Sequence, residues 1–261
     1  MGGRGATSSS GRMGAIGGAT LQPQADTNAQ VDNTQVADAF SATYDAFMAM
    51  TDDEKADFIS ANLKSGVPDH LADNSFQRFL YNGGLNEKPN VVDDATLDTM
   101  TGTEMFRTVN DVYNKNKDLG YTAPQIAKQV MSAKNTRVSD DGGSVYGRGI
   151  YFADSYSEST GVYGKTTGNV TKTAVMRAKL NSNAKVIDSN TAERYAKNEI
   201  NRGSKLGKVL SHCDYDSRSS IYAMSKGFNV MSDKASGYFV VLNRNAITMS
   251  SDIKAKGSKW K

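Results

Sequence analysis

The stretch from Tyr146 to Tyr163, YGRGIYFADSYSESTGVY, decides how the rest of this chain is read. Its apolar centre, Ile150, Tyr151 and Phe152, is entered through Gly147 and Gly149, which bracket an arginine, and is left through a run of small hydroxyl residues. That pattern fits a short strand delivered into a polar cleft. The glycines admit backbone conformations and close approaches that a Cβ forbids, while the serines and aromatics can hydrogen-bond to and stack on a flat ligand. Two phosphate-binding motifs fail on their own residues. Gly164-Lys165-Thr166 looks like the end of a P-loop, but the earlier glycine falls on Ser159, and Gly147-x-Gly149 meets Phe152 where a dinucleotide fingerprint has its third glycine.

Upstream, Thr122 and Gln125 begin a helix through Ile126, Val130 and Met131, and a glycine-bearing linker over residues 140–144 leads into the central stretch. Before it, Glu104 to Val109 reads as a strand with Arg107 in its middle. Such an arginine either faces solvent with a buried stem or turns its guanidinium into a cleft to grip phosphate or ribose oxygens. The first third of the chain is helical. Val36, Phe40, Tyr44 and Phe47 recur at helical spacing, Thr51 with Glu54 forms a capping box for a helix through Leu63, and a third helix carries Phe76, Phe79 and Leu80 from a cap near Asp73 or Asn74.

Downstream, Thr173 to Leu180 and Ala184 to Ile187 read as strands joined by a turn over Asn181 to Asn183. Asn190 with Glu193 is the expected cap of a helix ending at Gly203, a shorter helix surrounds Ile221 to Met224, and two last strands run Phe228 to Met231 and Tyr238 to Leu242. Helices first, then strands with inserted helices, give an α+β chain.

The bulk composition narrows the function classes. The chain has 261 residues, with 31 basic and 28 acidic side chains for a net charge of +3, which gives little electrostatic reason to bind nucleic acid. One cysteine, Cys213, excludes an intrachain disulfide, and His70 and His212 alone are too few for a multi-histidine metal site. No apolar run reaches membrane-spanning length, and the N-terminus lacks the basic-then-apolar order of a secretory signal. Residues 1–30 hold too little apolar surface to offset ordering and read as a flexible Gly/Ser-rich arm.

At the central stretch a family comes into view. GRGIYFADSYSES is very similar to the second motif of the poly(ADP-ribose) polymerase and ADP-ribosyltransferase superfamily. The upstream MFRTV resembles the first motif of its arginine-type branch, and GYFVVLNRNAI resembles the third-motif region. The resemblance covers residues from about 75 to 250 and implies a split mixed β-sheet core, here with an N-terminal helical region. The implied layout is a flexible arm over 1–30, helices over 31–85, an ADP-ribosyltransferase-like domain over 86–253 and a basic tail over 254–261.

The resemblance also implies roles. NAD is the implied substrate and no metal is needed. Arg107 stands where the family holds the ribose and phosphate side of NAD, and the Thr108 backbone lies near the nicotinamide amide. Gly149 belongs to the NAD-binding turn, Tyr151 lines the nicotinamide pocket, Ser159 hydrogen-bonds the carboxamide, and Tyr163, or alternatively Val162, stacks on the ring. The competing reading of these residues is a tyrosine corner packed under a serine-rich turn. The reaction is cleavage of the nicotinamide–ribose bond through an oxocarbenium-like transition state, helped by nearby negative charge. The family supplies that charge as a glutamate, and this chain has Gly237 at the corresponding position. A carboxylate from elsewhere, with Glu158 and Asp233 the nearest in the motifs, an acceptor that brings its own nucleophile, or a fold without turnover are the three explanations.

The start MGGRGATSSSG is similar to glycine-rich ends of phage and prophage head-associated proteins, some of them joined to ADP-ribosyltransferase-like domains. That likeness implies a protein made in a bacterial cytoplasm and carried with a virion. Two functions follow as expectations: a mono-ADP-ribosyltransferase acting on a macromolecular acceptor in the host, or a degenerate relative that serves as a structural partner of phage head proteins. A nucleic-acid role for Arg4, Arg12 and the basic end near Trp260 carries less weight.

Overall fold

The computed structural model describes residues 43–66, 74–85, 87–110, 122–132, 146–162 and 173–257. The expected arm, the helical spacing before Tyr44, the 140–144 linker, Tyr163 and the last basic residues lie outside them.

Local chemistry sets the first helices. Helix α1, Tyr44–Ala49, is capped by the Thr43 hydroxyl. Helix α2, Asp52–Lys64, opens on the expected capping box: Thr51 accepts from the Glu54 amide at 3.3 Å and the Glu54 carboxylate accepts from the Thr51 amide at 2.8 Å. Helix α3, Ser75–Asn82, takes Asn74 as its cap. These helices bury Phe47, Ile59, Phe76 and Phe79 in the same apolar core as the strands that follow, and Phe47 and Phe79 meet with ring centroids 5.7 Å apart.

The remaining elements are β1 Asn90–Val92, α4 Asp94–Thr99, β2 Glu104–Asn110, α5 Ala123–Met131, β3 Ile150–Ala153, α6 Tyr156–Val162, β4 Thr173–Leu180, β5 Val186–Asp188, α7 Ser189–Arg202, α8 Lys205–Ser211, α9 Tyr215–Ser225, β6 Val230–Asp233, β7 Tyr238–Val241 and β8 Ile247–Ser250. The strands form one mixed eight-stranded sheet in the order β1-β8-β4-β2-β3-β7-β6-β5. The pairs β1/β8 and β5/β6 are parallel and the others antiparallel. The chain is therefore α+β, as the sequence implies.

Several local expectations change. Asn190 does not cap α7: Asp188 ends β5 and accepts from the Thr191 amide at 2.8 Å, so Asn190 already lies within the first turn. The hydroxyl-rich exit from β3 is helix α6, in which the Ser155 hydroxyl accepts from the Glu158 amide and Thr160 donates to the Tyr156 carbonyl. The connection around Pro89 contains β1 and α4, and β8 follows the strands expected to be last. Beyond β8 the chain stays attached, for Lys254 bridges to Val175 and its ammonium meets Asp94 at 2.9 Å.

Candidate functional site

The three segments that carry the motif-like residues are neighbours, because β2, β3 and β7 are consecutive in the sheet. Their connections differ in strength. Strand β3 pairs with β7 along its full length, from Ile150 opposite Val241 to Ala153 opposite Tyr238. It meets β2 through the single pair Phe106–Ala153, whereas β2 pairs with β4 over seven residues. The sheet thus narrows to one residue pair between two four-stranded halves.

Arg107 lies beside that constriction. Only 5% exposed, it is not the solvent-facing arginine of the first sequence reading. Its Nη1 donates to the Tyr151 carbonyl at 2.8 Å. The guanidinium supplies a donor to a carbonyl of β3 where the ladder from β2 has lapsed, which is how a buried polar backbone group is kept satisfied. Alternation along β2 puts the Arg107 side chain on the face of Met105 and Val109, opposite Phe106 and Thr108. The Phe106–Ala153 pairing puts Thr108 and Tyr151 on the other face.

On that second face the hydroxyl groups are close. Thr108 Oγ1 and Ser159 Oγ are 2.9 Å apart and both residues are buried, which joins β2 to α6. Phe106 meets Tyr156 of the same helix edge to face at 6.0 Å. Tyr151 turns its hydroxyl back, donating to the Gly147 carbonyl at 2.6 Å and accepting from the Tyr146 amide at 3.1 Å. Gly149 is required by packing: a Cβ would stand 2.4 Å from Val240 Cγ1 and 2.9 Å from the Val241 carbonyl oxygen. Tyr163 lies outside the described residues, so the partner expected to stack on a ring is not placed.

The turn at Gly237 gathers acids. Gly237 has φ +71°, and a Cβ there would fall 2.7 to 2.9 Å from the carboxylate of Asp154, whose amide donates to the Gly237 carbonyl at 2.8 Å. Glu158 comes to the same turn. Its Oε1 accepts from the Tyr238 hydroxyl at 2.9 Å, and Tyr238 stacks on Tyr146 with ring centroids 6.1 Å apart. Asp233, paired across from Tyr238, is held below the usual carboxylate range chiefly by the Ser236 hydroxyl, which donates to it at 2.7 Å, with the Ala235 amide as a further donor. Three carboxylates and two stacked tyrosines therefore border the residue that follows β6 and precedes β7.

Such an edge can present negative charge to a developing cation while its aromatic faces sit against a flat group. Sequence reasoning named Glu158, Asp233 and Gly237 but missed Asp154 and the Tyr146–Tyr238 stack. The signal for Asp154 was its place at the end of the IYFA strand; only the β3/β7 register carries it to Gly237. Among the described residues no group of three or more His, Cys, Asp or Glu side chains forms a candidate metal site, and no helix is long and apolar enough to cross a membrane.

Comparisons with protein-family models, with curated proteins and with solved structures return no match, so what distinguishes this site is its own geometry: an arginine on β2, a hydroxyl pair joining β2 to α6, a tyrosine on β3, and a carboxylate-rich turn before β7.

Proposed function

We propose that this protein is an NAD-dependent mono-ADP-ribosyltransferase that releases nicotinamide and transfers ADP-ribose to a macromolecular acceptor in a bacterial host, with a phage or prophage as its source. The observation that carries the reading is the adjacency of β2, β3 and β7, the three strands whose sequences resemble the three motifs of that superfamily. The single-pair junction between β2 and β3 agrees with the split sheet that the resemblance implies.

In this reading Ser159 and the Thr108 backbone receive the nicotinamide carboxamide, Tyr151 and Gly149 shape the floor of the pocket, and Tyr163 stacks on the ring. The resemblance gives Arg107 the ribose and phosphate side of NAD, but its side chain leaves β2 on the face opposite Thr108 and Nη1 is engaged by the Tyr151 carbonyl, so in this fold its part is to hold β3 against β2. Glu158 takes the part of the missing glutamate, because its carboxylate reaches the Tyr238 hydroxyl next to Gly237. Its charge near the ribose favours the oxocarbenium-like state as the glycosidic bond lengthens.

A second reading, a degenerate relative that serves as a head-associated phage component, is favoured by a specific observation. The Tyr151 and Ser159 hydroxyls already have partners inside the protein, and the Arg107 side chain leaves β2 on the face opposite Thr108. Mass spectrometry of free nicotinamide after incubation with NAD separates the two. Release that depends on Ser159 and Glu158 supports the transferase; NAD binding without release, or neither, leaves the structural role.

A further inference from the structure

A cavity of about 400 Å³ opens between α2, α3 and α8, on elements that carry none of the motif-like residues. Four basic side chains among the described residues line it: Lys64 from α2, Arg78 from α3, and Lys208 and His212 from α8 and its C-cap. Ser60 and Ser75 add hydroxyls, and Leu63 with Val209 forms an apolar side. No carboxylate is among the described lining residues. The acid bonded to one of them, Asp214 on the Ser75 amide, is also engaged by the Ser217 hydroxyl and by Arg148 at 3.6 Å.

The donors are only partly used. Arg78 Nη2 donates to the Leu63 carbonyl, while its buried Nε has no partner among the described residues. The His212 Nδ1 sits 2.7 Å from the Lys208 carbonyl, which can only accept, so Nδ1 carries a proton; Nε2, the remaining polar atom of the ring, donates to an anion in the imidazolium form. Neither the Lys64 nor the Lys208 ammonium makes an ion pair among the described residues, although Lys205 on the same helix pairs with Asp57 of α2 at 2.5 Å. Lysines in the last turns of α2 and α8 suit the helix dipoles. That accounts for each cation singly, but not for their meeting around one concavity of ligand size.

We propose that this cavity binds a small phosphate monoester, with the phosphate held by Lys64, Arg78, Lys208 and His212 and the organic portion resting on Leu63 and Val209. The proposal is independent of the NAD reading. Arginine and lysine together match phosphate as a fork and a point charge, and the apolar side distinguishes an ester from a free inorganic ion.

The test is a titration of the full chain with ribose 5-phosphate and with inorganic phosphate, followed by calorimetry and by the histidine NMR signals. The sequence has two histidines, so the signal lost in His212→Gln is that of His212. Saturable binding of ribose 5-phosphate, tighter than that of phosphate, that moves the His212 signal is the expected result. Lys64→Gln with Lys208→Gln, both at exposed positions, should weaken it roughly three- to tenfold without lowering the melting temperature. Absence of saturable binding, binding unchanged in the double variant, or an unmoved His212 signal overturns the proposal. So does displacement by single-stranded DNA at lower concentration than ribose 5-phosphate, which would make the cavity a nucleic-acid contact.

Discussion

The Tyr238 hydroxyl donates to Glu158 Oε1 across 2.9 Å, joining residues 80 apart in sequence beside Gly237, the position that in the proposed transferase reading corresponds to a glutamate. A carboxylate can thus serve that position without occupying it. Glu158→Gln keeps the size of the side chain and removes its charge. It is expected to reduce nicotinamide release by roughly 10²-fold or more, the range for losing one transition-state interaction, with little change in urea unfolding because Glu158 is half-exposed. Tyr238→Phe should have a smaller effect, since it removes the hydrogen bond and leaves the charge. Equal rates for Glu158→Gln and the parent would remove Glu158 from the mechanism.

Placing at position 237 the glutamate that the proposed reading calls for should fail. At Gly237 the backbone has φ +71°, which an L side chain adopts at a cost of about 1–2 kcal/mol, and the new Cβ would meet the Asp154 carboxylate. Gly237→Glu should therefore lower stability in urea by more than Gly237→Ala does, because it adds a like charge, and should not raise nicotinamide release. A gain of activity in Gly237→Glu would mean that the turn reshapes readily.

Arg107→Met tests the sheet junction. Truncation to an apolar chain leaves the buried Tyr151 carbonyl without the Nη1 donor and should cost about 1–3 kcal/mol of stability. Chemical denaturation measures it. A loss of NAD binding with unchanged stability would assign the guanidinium to the ligand instead.

Much of this was legible in the sequence, and the failures share a cause. The capping box of α2, the Arg107 strand, the central strand and its glycines follow from local chemistry. What escaped depends on partners distant in the chain. Strand β1 has three residues, and its pairing with β8 is with residues 158 positions later. Helix α8 contains Gly207, a poor helix former, yet a Cβ there would stand 2.0 Å from the Glu199 carbonyl oxygen of α7, so packing requires it. Likewise, no spacing rule carries Asp154 to Gly237 or turns the Tyr151 hydroxyl back to Gly147.

Acid should loosen the contact of α3 with α9. Burial raises the Asp214 pKa, but the Ser217 hydroxyl, the Ser75 amide and hydroxyl, and Arg148 together bring it below the usual carboxylate value. A depressed folded-state pKa contributes stability above the unfolded value, near 4, that is lost as pH falls through the folded one. Urea midpoints measured from pH 6 down to pH 2.5 should fall for the parent, and fall less steeply for Asp214→Asn, which begins lower. Parallel curves for the two proteins would show that Asp214 is not the group responsible.

Because one residue pair, Phe106 with Ala153, stitches four strands to the other four, an opening at this seam would break fewer ladder pairs than one between any other two neighbouring strands. Each half would keep its own ladders. Anything that spans the seam, whether the Arg107 side chain or a dinucleotide laid across both halves, acts as a clasp and should slow amide exchange on the two strands it bridges.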